Sequence, residues 1–280
     1  MMIKLLLYFL YIVCSSGQSA LGKRYASRGG SPDVFNLDKA LAGIIIFTVA
    51  GLFGGISFHI PTIVLGLFYG ASLCISMRTG FKALEKGPMA LTSVIASFSL
   101  VIPFVFGIFV WDEALSPCGA VGILLLASSI ILLNLKKESG LTVGWSVCAL
   151  LTLFTNGICS VIQKYHQFLY SGLYRTEFLI SALLCVLVFT FIIYLADKNR
   201  QPFTFCADGI VAGIMNGGAN YIVLCLAATE KATVLFPVLS VANIIAVWII
   251  GRFAFSEKIK KMQLAGFFIG ILSVVLLNIS

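Results

Sequence analysis

The sequence predicts an all-α membrane fold: ten transmembrane helices arranged as two five-helix repeats of inverted topology. Three observations predict it. Of 280 residues, 60% are hydrophobic and 11% charged, whereas soluble domains carry roughly 45–50% apolar and about 25% charged residues. The apolar excess runs the length of the chain in stretches close to the ~20 residues that cross ~30 Å of hydrocarbon. Finally, one stretch is written twice: Ala83–Asn134 (ALEKGPMALTSV…) recurs as Ala228–Asn278 (ATEKATVLFPVL…). Lys86, Glu113, Gly122, Ser129 and Asn134 return as Lys231, Glu257, Gly266, Ser273 and Asn278, with a single deletion between Lys and Glu. A fixed internal period marks a repeated structural unit.

The spans follow in order. Residues 3–22 open with MMIKLLLYFLYIVCSS, which has the charge and apolar run of a signal peptide. No soluble protein follows it, and its polar tail SSGQSALGK has a counterpart in span six, so it is read as the first helix. Spans two to five are 40–59, 62–84, 88–111 and 116–135, and spans six to ten are 144–165, 177–195, 207–228, 232–255 and 261–279. The longest loops are Lys23–Lys39 and Lys136–Val143. The second joins the halves, giving a first unit 1–135, a linker 136–143 and a second unit 144–280. Each half has an odd number of spans, so the second enters the membrane inverted, a transporter plan with its site near the midplane.

Composition excludes other classes. The formal charge of +8 sits in short clusters between apolar runs, as in loops that meet anionic headgroups, and points to no nucleic acid. The eight cysteines form no CxxC, and six lie inside apolar runs, where they read as small packing residues. No metal and no cofactor is expected. The two histidines, His59 and His166, lie near helix ends, and no HExxH or midplane Asp pair occurs, so an enzyme is not expected.

Polar groups at midspan are the candidates for a substrate site, because an amide facing lipid goes unsatisfied. Asn156, Asn216, Asn220 and Asn243 fall there. Asn216 and Asn220 share a helical face. Asn243 aligns with Ser99 and Asn156 with Ser15. Tyr69, Ser72 and Ser76 form a stripe on span three, where Gly66 and Gly70 bracket Tyr69 as Gly213 and Gly217 bracket Asn216. Gln18 lies one turn deeper than Lys23. Arg78 either snorkels to the headgroups or reaches into the vestibule to attract an anionic group. Lys23 and Lys164 are matched helix ends. Glu113 and Glu257 are read as ordering the turns that follow them.

The pattern Ala83-Leu84…Pro103…Glu113…Leu115…Gly122, repeated as Ala228…Glu257…Ile259…Gly266, resembles the EamA-type unit of the drug/metabolite transporter superfamily. The ending GQSALGK of the first span resembles that family's first-helix signature. One departure is that Val247 stands where Pro103 stands in the first copy. The resemblance covers essentially the whole chain and implies a ten-helix carrier in a bacterial inner or plasma membrane. It implies a central cavity lined mainly by helices 1, 3, 4, 6, 8 and 9.

The function expected is a secondary carrier working by alternating access on a small metabolite: amino acid, nucleoside, sugar or cation-like. The alternative is a lipid-linked substrate translocase or a non-transporting assembly subunit. The expected partners are the substrate and membrane lipid, in a monomer or homodimer. Orientation holds a conflict. Family members have both termini in the cytoplasm. Yet of 19 Lys and Arg, only Lys4, Lys164, Arg175 and Lys231 fall on the side of the termini, which the positive-inside rule places outside.

Overall fold

Polar and charged residues share the interior with an apolar core, and many bulky apolar residues face outward, unlike a soluble domain. In the computed structural model, Asp33, Asn36, Asp38 and Lys39 are all at most 8% exposed, while Phe53, Phe109 and Phe253 are at least 80% exposed. An apolar exterior this extensive is stable only against lipid. Residues 2–111, 117–134, 142–256 and 261–278 are described. Glu113, Glu257 and most of the 136–143 linker, with the roles expected of them, lie outside the described residues.

Every regular element among the described residues is helical: α1 (Met2–Ser27), α2 (Pro32–Gly54), α3 (Ile60–Lys86), α4 (Met89–Ser97), α5 (Val101–Val110), α6 (Pro117–Asn134), α7 (Val143–Leu169), α8 (Arg175–Ala196), α9 (Ala207–Ala227), α10 (Ala232–Ala254) and α11 (Lys261–Asn278). Seven of them (α1, α2, α3, α7, α8, α9 and α10) are long and apolar enough to cross a membrane. The chain is therefore a multi-pass membrane protein, with seven such helices where the sequence pattern counts ten.

The fourth expected span is interrupted. Pro103 has no N–H to give the carbonyl of Ser99 four residues back, and the chain tightens into a 3-10 turn over Phe98–Leu100 between α4 and α5. The second span is longer at its start than hydropathy indicates. The expected loop Lys23–Lys39 shrinks to the turn 28–31, because α2 begins at Pro32. Proline suits a first helical position, where its missing N–H would have no partner anyway. Two of the ionisable groups thus drawn into the helix find partners on other elements. Asp33 pairs with Arg78, and Asp38 Oδ2 accepts from the backbone N of Cys206 at 2.8 Å, at the start of α9.

Helix partners exchange in a regular way. α1 packs on α9 as α7 packs on α3; α2 packs on α9 as α8 packs on α3; α2 meets α8, and α6 meets α11. Glycines set the closest approaches. A Cβ on Gly66 would meet Phe178 O at 2.9 Å, and one on Gly70 would meet Ala182 O at 2.4 Å. On Gly209 it would meet Phe35 O at 3.2 Å, and on Gly213 Lys39 O at 2.5 Å. Between the two sets the glycines move forward by 143 positions (209−66, 213−70) and their partners back by 143 (178−35, 182−39), so the two contacts are exchanged copies. The sequence alone matches Gly66 with Gly213, one helical turn away from these contacts.

Lys23 and Lys164 act alike. Lys23 Nζ donates to Leu84 O at 2.8 Å and Gly87 O at 2.6 Å. Lys164 Nζ donates to Ala227 O at 3.2 Å and Glu230 O at 2.6 Å. Each ammonium meets carbonyls at the C-terminal end of the neighbouring helix, where the last turn lacks N–H partners and carries the negative end of the dipole.

Candidate functional site

A cavity of about 270 Å³ lies among the membrane-crossing helices. Two stripes of the same spacing contribute to its lining. Tyr11, Ser15, Gln18, Ser19 and Gly22 come from α1, and Thr152, Asn156, Cys159, Ser160 and Gln163 from α7. Both follow i, i+4, i+7, i+8, i+11, one face of a helix. From α3 the lining face runs Tyr69, Leu73, Ser76, Met77, Gly80, Phe81 and Leu84. The α4 side gives Thr92, Ala96 and Ser99, and α10 gives Phe236, Ser240 and Asn243 at a constant offset of 144 (236−92, 240−96, 243−99). Asn216, Ala219, Asn220 and Val223 come from α9.

Eight of the residues singled out in the sequence meet in this cavity: Gln18, Tyr69, Ser76, Ser99, Asn156, Asn216, Asn220 and Asn243. Two do not. Ser72 falls between the lining positions of α3, since the face passes through 69, 73 and 76 and leaves 72 to one side. Arg78 neither snorkels free nor enters the cavity, because it pairs with the buried Asp33 carboxylate of α2.

At one end the polar groups form a connected set. Tyr69, 1% exposed, donates its hydroxyl proton to Asn220 Oδ1 at 2.7 Å. Gln163 Nε2 donates to the Tyr69 hydroxyl at 3.2 Å and to Asn220 Oδ1 at 3.1 Å. Asn220 Nδ2 returns to the Asn216 carbonyl at 2.9 Å. Nearer the middle, Ser76 donates to Asn156 Oδ1. The Asn243 side-chain oxygen is buried, and no group among the described residues donates to it.

The residue that sequence reasoning misses is Lys39. It lines the cavity and is 8% exposed. Its Nζ donates to Gln18 Oε1 at 3.1 Å and lies 5.8 Å from the centroid of the Phe35 ring. Among the described residues it forms no ion pair, and it is the one charged side chain in the lining. Its neighbour Asp38 turns the other way, toward Gly209 and Cys206 on α9. There burial first, then the Asp38 carboxylate, pushes the Cys206 thiol up to about 11, so a neutral sulfur accepts the Gly209 N–H at 3.2 Å. Hydropathy hid Lys39 by placing it in a loop. Gln163 had a readable signal, since it continues the Asn156–Ser160 face.

Lys39 also brings a seventh element to the wall. Phe35, Asn36 and Lys39 of α2 line the cavity, and no residue of α8 does. The glycine contacts place Lys39 where Ala182 stands on α8. Both backbones rest on a glycine. The alanine side chain ends at Cβ, whereas the lysine stem reaches round to the cavity.

The two histidines stand apart from this cavity. Thr62 Oγ1 lies 2.9 Å from His59 Nδ1 and 3.1 Å from His166 Nε2, in a polar chain that also includes Gln167.

No family model matches the chain, and no curated protein matches it. Solved structures do. One, described only as "Crystal structure of protein", superposes with a TM-score of 0.71 at 16% sequence identity, covering 98% of this chain and 96% of that one. At that identity the likeness is one of fold.

Proposed function

We propose that the protein is a secondary carrier that moves a small polar metabolite by alternating access between two inverted five-helix repeats. The observation that carries this reading is the cavity: a chamber with polar and apolar lining inside an apolar exterior, walled by matched positions of both halves. The offsets of 141 between α1 and α7 (152−11, 163−22), 143 in the glycine contacts and 144 between α4 and α10 suit two copies of one unit facing each other. On this reading α4 and α5 make one broken crossing, and α6 and α11 complete ten. A discontinuous helix at a midplane site is usual in inverted-repeat carriers. Ser99, in the break, then presents both a hydroxyl and a carbonyl freed by Pro103.

The reading agrees with an EamA-type carrier, rather than an enzyme, in a bacterial inner or plasma membrane. Uptake and counterflow into proteoliposomes test it across small polar metabolites. Saturable counterflow that falls at least tenfold in Asn243→Ala is expected. Flux that never saturates for any metabolite, together with thermal stabilisation by lipids alone, sinks the carrier reading in favour of a lipid translocase or assembly subunit.

A further inference from the structure

Among the described residues Lys39 is the one basic residue in the cavity lining; outside it, Arg175 meets the Gln167 amide oxygen and Arg200 a backbone carbonyl and the Tyr194 ring. Lys4, Arg24, Arg28 and Arg78 face carboxylates, and Lys23 and Lys164 face helix-end carbonyls. Lys39 faces an amide oxygen and an aromatic ring at the wall of a cavity, nine-tenths buried. An ammonium has three donors, and the bond to Gln18 uses one of them. A buried charge is retained where something compensates it. No carboxylate lines the cavity among the described residues, so the compensating group is supplied by what binds.

Resting on the carrier reading, we infer that the cavity takes a small organic monoanion, with its carboxylate on Lys39 and its hydroxylated body against the Asn and Tyr groups beyond. Size and charge both narrow the class. A volume of about 270 Å³ suits a small metabolite such as a sugar acid. One cation with no lining carboxylate favours a net negative ligand over a zwitterion or an amine. The asymmetry agrees: the repeat builds polar walls on both sides, and the charge enters from α2 alone, where α8 carries Ala182.

The test uses the full-length protein in lipid nanodiscs, titrated calorimetrically with matched probes: D-glycerate and D-gluconate, the neutral polyols glycerol and D-glucitol, and the amine D-glucosamine. Wild type is compared with Lys39→Gln, Lys39→Met and Lys39→Arg. The expected result is binding of an acid with no comparable binding of polyols or amine. Affinity drops at least about 30-fold in the Gln and Met variants and is largely kept in Arg, as for truncation of one partner of a buried charge pair. Removing an uncompensated charge leaves the ligand-free fold intact, and the charge-keeping Arg variant covers the case in which it does not. The inference is overturned if no acid binds wild type, if a polyol or the amine binds as well, or if the Gln variant retains acid affinity. Proteoliposome counterflow separates the two levels. Lys39-dependent acid binding without counterflow removes the carrier and keeps the site. Saturable polyol flux unaffected by Lys39→Gln keeps the carrier and removes the site.

Discussion

Gly213→Ala tests whether the α2–α9 contact positions Lys39. The new methyl would stand 2.5 Å from Lys39 O, 2.8 Å from Lys39 Cα and 2.9 Å from Ala42 Cβ. Ordinary carbon contacts lie near 3.5–4.0 Å, so α2 must retreat by about 1 Å, and two of the three obstacles are backbone that no rotamer change can move. Overpacking of this kind costs about 1–3 kcal/mol, against about 1 kcal/mol gained by replacing a helical glycine with alanine. A net loss of up to about 2 kcal/mol follows. The Lys39–Gln18 bond at 3.1 Å has no slack for such a shift. Gly218→Ala is the control on the same helix, because its methyl would meet only Cys14 Sγ at an ordinary 3.5 Å. It is expected to be neutral or to stabilise by up to about 1 kcal/mol. Equilibrium unfolding in mixed micelles reads both variants. Equal stability of the two, or a Gly213→Ala protein more stable than wild type, refutes the reasoning.

Three further outcomes are expected. Tyr69→Phe removes the hydroxyl between Gln163 and Asn220 and lowers unfolding stability by about 1–2 kcal/mol, because buried donors and acceptors lose their partners; no loss would mean that the set is not formed in the membrane. Lys23→Met and Lys164→Met, each losing two helix-end carbonyl bonds, cost similar amounts of about 1–2 kcal/mol in the same unfolding assay, and a difference above about 1 kcal/mol would end the equivalence of the two ends. A reporter fused to Ser280 reads out orientation. Arg24, Arg28 and Arg78 are tied to carboxylates and Lys39 is inside a helix, which weakens the positive excess opposite the termini. The excess that remains, 11 against 4 (15 − 4 opposite the termini), still places Ser280 outside, so an external reporter signal is expected, and a cytoplasmic one would support the family orientation and mean that loop charge does not decide it.

The site was legible where its chemistry is costly to misplace. Asn156, Asn216, Asn220 and Asn243 stand out in apolar runs because a lone amide in hydrocarbon needs a partner, and all four line the cavity. Ser72 shows the limit of a face drawn by hand, one position wide of the true stripe. Arg78 and Lys39 show a deeper limit. Both are cations near a span boundary, and hydropathy assigns such residues to the interface. Which one enters the cavity depends on the partner across the helix gap. Asp33 takes Arg78, and among the described residues no carboxylate takes Lys39.

The sequence by itself determined the solvent and the frame. Its apolar content and run lengths place the chain in a bilayer, and its duplicated spacing marks the matched helices, because periodicity and composition are local properties. Tertiary structure alone decided where α2 begins, where the Pro103 break leaves Ser99, and which charge stays uncompensated. Those depend on pairings such as Asp33 with Arg78 and Asp38 with the start of α9. A buried charge is tolerated or not according to neighbours that are remote in sequence.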